Sequence, residues 1–216
     1  MARRIRNWFI RGIDGERRLG LMEIIVESIM REIEDCRKSK RRFLVAIDGR
    51  CAAGKTTLAS ELMSRLPCNV IHMDHFYLRP EQRTKERLRE PGGNVDYERL
   101  LDEVLLPLIN GKDVEYRPYD CRRLDFSDAI CLADHAINII EGSYSCHPSL
   151  RDHYDLSVFL SVSPEEQIRR IRQREGDDRV ADFIEKWIPL EERYFERCSV
   201  CEHCDLLFAT DDACRP

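Results

Sequence analysis

The sequence predicts a three-layer α/β domain with a parallel sheet between helices. Three observations predict it. Apolar runs of strand length alternate with segments of helical period along most of the 216 residues. One run, Phe43-Leu-Val-Ala-Ile-Asp48, passes directly into Gly49-Arg-Cys-Ala-Ala-Gly-Lys-Thr56, which fits the phosphate-binding loop G-x-x-x-x-G-K-[ST]. Two carboxylates, Asp74 and Glu141, stand at the carboxyl ends of other apolar runs. Ligands of such sheets bind outside those ends.

Residues 1–40 read as an N-terminal arm and helix, and residues 41–216 as the main domain. The arm, to residue 19, is arginine-rich and broken by glycines, as a loose segment or a short helix. Leu21–Ile33 carries apolar residues at helical spacing, so it should lie against the sheet. The basic run Arg37–Arg42 reads as a solvated helix end, because cations suit helix C-termini and no aromatic residue interleaves it. Phe43–Asp48 is the first strand. Leu58, Leu62 and Leu66 form one helical stripe, closed by Pro67. Asn69–Met73 is a second strand, ending at Asp74. A charged stretch from Glu81 to Glu90 leads to the turn Pro91-Gly-Gly-Asn94. Tyr97–Asn110 reads as an amphipathic helix with Leu100, Leu101, Val104, Leu105 and Leu108 inward, stopped by Gly111.

Val114–Tyr119 and Ala129–Ala133 are two extended segments around a polar turn, a small antiparallel flap. Ala136–Ile140 and Leu156–Val162 are buried strands. Ser163-Pro-Glu-Glu166 is a helix start, with Ser163 as the cap. That helix carries Ile168, Ile171 and four arginines to Gly176. Asp182–Arg197 is a further helix, bent or broken near Pro189. Asp205–Ala209 is the fifth and last strand of the sheet.

The loop has a physical logic. Gly49 and Gly54 let the backbone curl so that the N–H groups of Arg50, Cys51, Ala52, Ala53, Thr56 and Thr57 can face phosphate oxygens. The following helix adds its positive end. Lys55 supplies a point charge for the β- and γ-phosphates, and the Thr56 hydroxyl suits Mg²⁺. Cys51 lies at a helix N-terminus, which favours thiolate, so bulky thiol reagents should inhibit and bound nucleotide protect.

Composition narrows the partners. A net charge of −5 gives no general attraction to nucleic acid, and 35% charged residues with no long apolar run argue against a membrane protein. Ten scattered cysteines with no export signal fit a reducing cytoplasm. Cys198, Cys201 and Cys204, with His203, are either a zinc cluster or partly buried thiols one turn apart. The sequence leaves homo-oligomerisation open.

A phosphate loop alone says only that a nucleotide binds. Transfer to an alcohol also needs a carboxylate to take the hydroxyl proton, a carboxylate near the metal, and cations over the migrating group. Asp74 suits the first role and Glu141 the second, although each could be an ordinary strand-end carboxylate. Arg169, Arg170, Arg172 and Arg174 offer cations; four on one short helix cannot all point inward.

With these residues assembled, the chain resembles the uridine kinase family, and more closely its bacterial uridine-kinase-like members, over residues 43 to 210. The resemblance rests on Gly49–Thr57, Met73-Asp-His-Phe-Tyr77, Gly93-Asn-Val-Asp-Tyr97, Arg117-Pro-Tyr-Asp120, Glu141-Gly-Ser-Tyr144 and the arginine helix. It implies a three-layer P-loop NTPase fold with a parallel five-stranded sheet, a small β-flap and an arginine-bearing lid region. It implies Mg²⁺- and ATP- or GTP-dependent phosphorylation of a nucleoside 5′-hydroxyl, the substrate being uridine- or cytidine-like. Asp74 matches the proton-accepting carboxylate, Asp96 the one that holds the ribose hydroxyls, and Tyr77 and Tyr119 aromatic positions of the nucleoside pocket. Glu141 matches the strand-end glutamate near the metal, and Arg170 and Arg174 the lid and clamping arginines. The chain departs from the family pattern after Asp120: Cys121 follows where an aromatic is common, and Arg122 and Arg123 stand where a pyrimidine-reading histidine is expected. The same architecture serves kinases of pantothenate, nicotinamide riboside and sugar phosphates. A regulatory ATPase without an acceptor is the reading from another class.

Overall fold

The strand Phe43–Gly49 is buried at every residue and sits inside the sheet. Its alternate side chains enter two cores, Leu44 and Ala46 on one face and Val45 and Ile47 on the other. The computed structural model describes residues 6–7, 18–37 and 40–211. In chain order the strands are β1 (Arg6–Asn7), β2 (Phe43–Gly49), β3 (Cys68–His72), β4 (Glu115–Tyr116), β5 (Tyr119–Asp120), β6 (Asp125–Phe126), β7 (Ile130–Cys131), β8 (Ile137–Glu141), β9 (Leu156–Ser161) and β10 (Leu206–Ala209). The sheet runs β1-β10-β9-β2-β8-β3, with every pair parallel. Its five longer strands are the expected ones; β1 adds a two-residue edge. The rest of the expected arm, to residue 17, lies outside the described residues.

Helices cover both faces. Helix α1 (Arg18–Cys36) buries Ile25, Val26, Ile29 and Ile33 in the same core as Leu58 and Leu62 of α2 (Lys55–Arg65). Full burial of such a side chain is worth about 1.5–3 kcal/mol, so this stripe, not local propensity, holds α1 on the sheet. Of the basic run, Lys40 pairs with Asp155, and Arg42 with Asp134 at 2.6 Å. The charged stretch after β3 contains α3 (Lys85–Arg89).

The opposite face carries α4 (Tyr97–Leu100) and α5 (Leu106–Ile109), joined without a break by a π-helical turn, Leu101–Leu105. The same device recurs later. Helix α6 (Pro164–Glu175) ends at Gly176; α7 (Asp177–Asp182) then runs through a π-helical turn, Phe183–Trp187, into α8 (Ile188–Arg197). Each wide turn ends just before a proline, Pro107 or Pro189, which has no N–H to give the preceding turn. The break expected near Pro189 is therefore a widened turn within one helical run, and that run begins at Asp177, not Asp182. Helix α9 (Val200–His203) leads to β10.

The flap is two ribbons, β4 with β7 and β5 with β6, both antiparallel. Ser163 does occupy the N-cap of α6, but its hydroxyl bonds Asp211 and makes no cap bond. No helix among the described residues is long and apolar enough to cross a membrane.

Candidate active site

The phosphate loop leaves β2 at a point where only glycine fits. Gly49 has φ +136°, and a Cβ there would lie 2.1 Å from the Leu160 carbonyl oxygen of β9. Directly before it, Asp48 is fully buried and acts as a hub. Its carboxylate accepts from the N–H groups of Gly49 (2.7 Å), Tyr144 (3.1 Å) and Cys146 (2.9 Å) and from the Tyr194 hydroxyl (2.9 Å). These bonds tie the loop to the turn after β8 and to α8. Burial pushes the Asp48 carboxyl up to about 6, against the pull of those donors.

Lys55 opens α2 and is 8% exposed. Its ammonium donates to the carbonyls of Gly49 (2.6 Å) and Arg50 (2.9 Å), so it arches back over the loop. Thr56 donates towards Glu141, with Oγ1 3.2 and 3.3 Å from the two carboxylate oxygens. Glu141 is 4% exposed and also pairs with His72, Nδ1 to Oε1 at 2.5 Å. That bond holds the His72 proton to higher pH than usual. Gly142 follows Glu141 because a Cβ there would meet the Met73 Cβ at 2.7 Å.

Lys55, Thr56, Glu141 and Gly142 face a cleft of about 710 Å³. Its floor includes Lys55, Thr56, Thr57 and Glu141, with Cys51, Ala52 and Gly54 of the loop. Asp74 and Tyr77 line it on the β3 side, and the Tyr77 hydroxyl donates to Asp74 at 3.0 Å. Burial, then the Asp74 charge, pushes the Tyr77 phenol well above its usual range, so it remains a donor. Arg50 and Ala53 do not line the cleft: Arg50 turns to Glu192 in a bidentate pair (2.6 and 3.1 Å), and Ala53 is buried in the core.

Of the arginine helix, Arg170 and Arg174 line the cleft. Arg170 donates to Glu166 (2.8 Å), to the Ala52 carbonyl (3.2 Å) and to Thr210 (3.0 and 2.8 Å), bracing the loop. Arg174 is half exposed, with Glu175 at 2.7 Å. Arg169 pairs with Glu166 and Arg172 with Asp177, away from the cleft.

Asp96 and Tyr119 are not brought into the cleft. Asp96 is 3% exposed; it caps α4 by accepting from the Arg99 N–H (3.1 Å) and takes Gln82 Nε2 at 2.8 Å. An Asp at a helix start has this competing use. Tyr119 is 4% exposed, its ring edge-on to Phe126 at 5.6 Å.

The expected thiolate at Cys51 is corrected by its surroundings. Burial, then the charge of Glu191, pushes the thiol up to about 12, and Gln167 Nε2 sits 3.2 Å from the sulfur. Cys51 should be alkylated by iodoacetamide at neutral pH far more slowly than exposed Cys36. Peptide mass spectrometry reads the two rates; faster labelling at Cys51 restores the thiolate. For the other thiols, no group of three or more His, Cys, Asp or Glu among the described residues is arranged to hold a metal. Cys204 is buried with its sulfur 3.8 Å from that of Cys146.

Sequence reading missed several lining residues. Glu191, 5% exposed, accepts from the Cys51 N–H (2.9 Å) and the Ser143 hydroxyl (2.5 Å). Arg122 and Arg179 also face the cleft. Glu191 meets the loop across 140 positions, so no local pattern marks it.

No protein-family model matches the chain. Curated proteins do. Uridine-cytidine kinase B of Dictyostelium discoideum is 29% identical over 153 residues, 65% of this chain and 61% of that protein, which is under two thirds of its length. Uridine kinase of Ureaplasma parvum is 27% identical over 164 residues, 69% of this chain and 78% of that protein. The chain is thus similar to uridine kinases over about two thirds of its length. Among solved structures, a Bacillus stearothermophilus protein described as a possible uridine kinase superposes with a TM-score of 0.65 at 21% identity, over 88% of this chain and 98% of its own. D-glycerate 3-kinase of Cryptococcus neoformans superposes with a TM-score of 0.57 at 16% identity, over 79% and 87%. These likenesses establish the fold: the chain has the three-layer α/β architecture of P-loop kinases.

Proposed function

We propose that the protein transfers the terminal phosphoryl group of ATP or GTP to a hydroxyl of a small alcohol, a nucleoside 5′-hydroxyl of uridine or cytidine type. The observation that carries this reading is the convergence of Lys55, the Thr56–Glu141 pair and Asp74 on one cleft. A loop that only bound nucleotide would use a metal-side carboxylate such as Glu141 but has no need of a second one, Asp74, in the same cleft. The names of the curated relatives support the nucleoside as acceptor.

The residues fit a hard divalent cation. A hydroxyl and a nearly buried carboxylate are oxygen donors of the kind Mg²⁺ takes, with its remaining positions left to water and phosphate. Thr56 and Glu141 would hold it, and when bound it neutralises charge on the phosphates. Lys55 then serves as the fixed point charge, and Arg170 and Arg174 stand at the edge as further cations. Asp74 orients the acceptor hydroxyl and takes its proton, while the Tyr77 hydroxyl holds that carboxylate in place.

One observation favours a second reading within the same chemistry. Asp96, the ribose-holding position of the resemblance, is engaged by Gln82 and the α4 backbone. An acceptor without vicinal hydroxyls, another small alcohol, does not need it free. Nucleotide turnover with and without uridine, cytidine, pantothenate, nicotinamide riboside and sugar phosphates tests both. Nucleoside-dependent release of ADP or GDP, with the 5′-monophosphate as product, is the expected result. Dependence on pantothenate, which has no vicinal diol, selects the second reading; dependence on nicotinamide riboside or a sugar phosphate keeps the kinase and changes only the acceptor. Slow hydrolysis indifferent to every alcohol overturns the kinase and leaves a regulatory ATPase.

A further inference from the structure

We propose that His72 is a positioning residue that fixes the Glu141 carboxylate towards Thr56, and so sets how strongly the site couples Mg²⁺ to nucleotide. This rests on the kinase reading above. His72 and Glu141 are register partners on the neighbouring parallel strands β3 and β8, so both side chains leave the same face of the sheet. The imidazole Nδ1 lies 2.5 Å from Oε1 of Glu141. An ionised carboxylate only accepts, so Nδ1 carries the hydrogen and donates it. The Thr56 hydroxyl contacts both oxygens of the same carboxylate, at 3.2 and 3.3 Å. Thr56 and His72 are the partners of Glu141 among the described residues. If Thr56 turns its oxygen to a cation, His72 remains as the group that holds the carboxylate's orientation.

The imidazole is itself held. Its ring meets the His75 ring edge-on at 5.2 Å, and His75 Nδ1 is 3.0 Å from the Tyr116 hydroxyl of the flap. The backbone on both sides is also constrained. Gly142 packs on Met73, the residue after His72, closely enough to exclude a Cβ. A strand-end histidine that merely filled space would not need a short bond to the carboxylate beside the loop threonine. Partners that orient metal-facing groups typically change metal affinity by about 10- to 100-fold when removed.

The test uses the full chain and the affinity of ADP, measured by calorimetry with Mg²⁺ and again with EDTA. The ratio of the two dissociation constants is the coupling. In His72→Phe the coupling should fall roughly 10-fold or more while the EDTA value stays within about 2-fold. His72→Asn should restore most of it, because the Asn amide can donate from near the Nδ1 position. Melting temperature without ligand is recorded in parallel. If His72→Phe does not fold, His72→Ala serves the same comparison. Unchanged coupling in a folded variant overturns the positioning role, even if the melting temperature drops. Asn behaving like Phe also overturns it. If the unaltered chain binds ADP with no Mg²⁺ dependence, the kinase reading fails with it, and that result is separate from a defect confined to the variants.

Discussion

Replacing Lys55 by alanine should lower phosphoryl transfer by at least roughly 10² to 10³ in kcat, the usual cost of removing one fixed charge-stabilising donor in a dry site. Lys55 is 8% exposed and fixed by two carbonyls, so its charge is already in place before any nucleotide arrives. Pre-orientation matters because a charge that must first reorganise contributes less. The same contacts predict a smaller, separate effect on stability. Removing the ammonium leaves the Gly49 and Arg50 carbonyls to find water, at a cost of about 1–3 kcal/mol. That is survivable for a domain whose total is about 5–15 kcal/mol. Circular dichroism should therefore show a folded variant with a lowered melting temperature and weakened ATP binding. Turnover near the normal rate would take the loop out of the chemistry.

The parts of the fold legible in the sequence are those whose signal is local. Phe43–Thr56 is strand, turn and helix start in one unbroken segment, and its glycines and lysine are required there by backbone approach and charge. The five longer strands and α1 follow from apolar runs whose periods differ. What stayed hidden depends on distant partners. Asp48 reads as a strand end, yet it joins residues almost a hundred and more positions away. Glu191 sits in a charged helix like many others, and only the fold brings it to Cys51. The Cys51 environment misled for the same reason: helix-terminus logic is local, whereas burial and Glu191 are not. Asp96 shows the converse. The residue type suits both a ribose clamp and a helix cap, and the structure uses it as the cap. Ser163 looks like a cap and is drawn instead to Asp211, nearly fifty residues on.

Asp74→Asn should depress kcat by about 10² to 10⁴ and change KM for the acceptor little, because general-base help is spent mainly in the transition state. The geometry makes the substitution clean. Asp74 is exposed in the single turn Met73–Phe76 that follows β3, with no buried network to disturb. Its one described hydrogen bond comes from the Tyr77 hydroxyl. An asparagine Oδ1 can still accept that bond, so the side chain keeps its place while losing its charge and the ability to take a proton. Tyr77 cannot substitute as base, since its phenol is held well above its usual range. Two variants therefore separate the roles. Tyr77→Phe frees the carboxylate to rotate and should cost far less in kcat than Asp74→Asn. Steady-state kinetics against acceptor concentration at saturating nucleotide give both parameters. A defect in Asp74→Asn carried by KM alone makes Asp74 a binding group. The proton would then have to leave by another route, with Glu191, a cleft carboxylate that accepts from the Cys51 N–H, as the next residue to change.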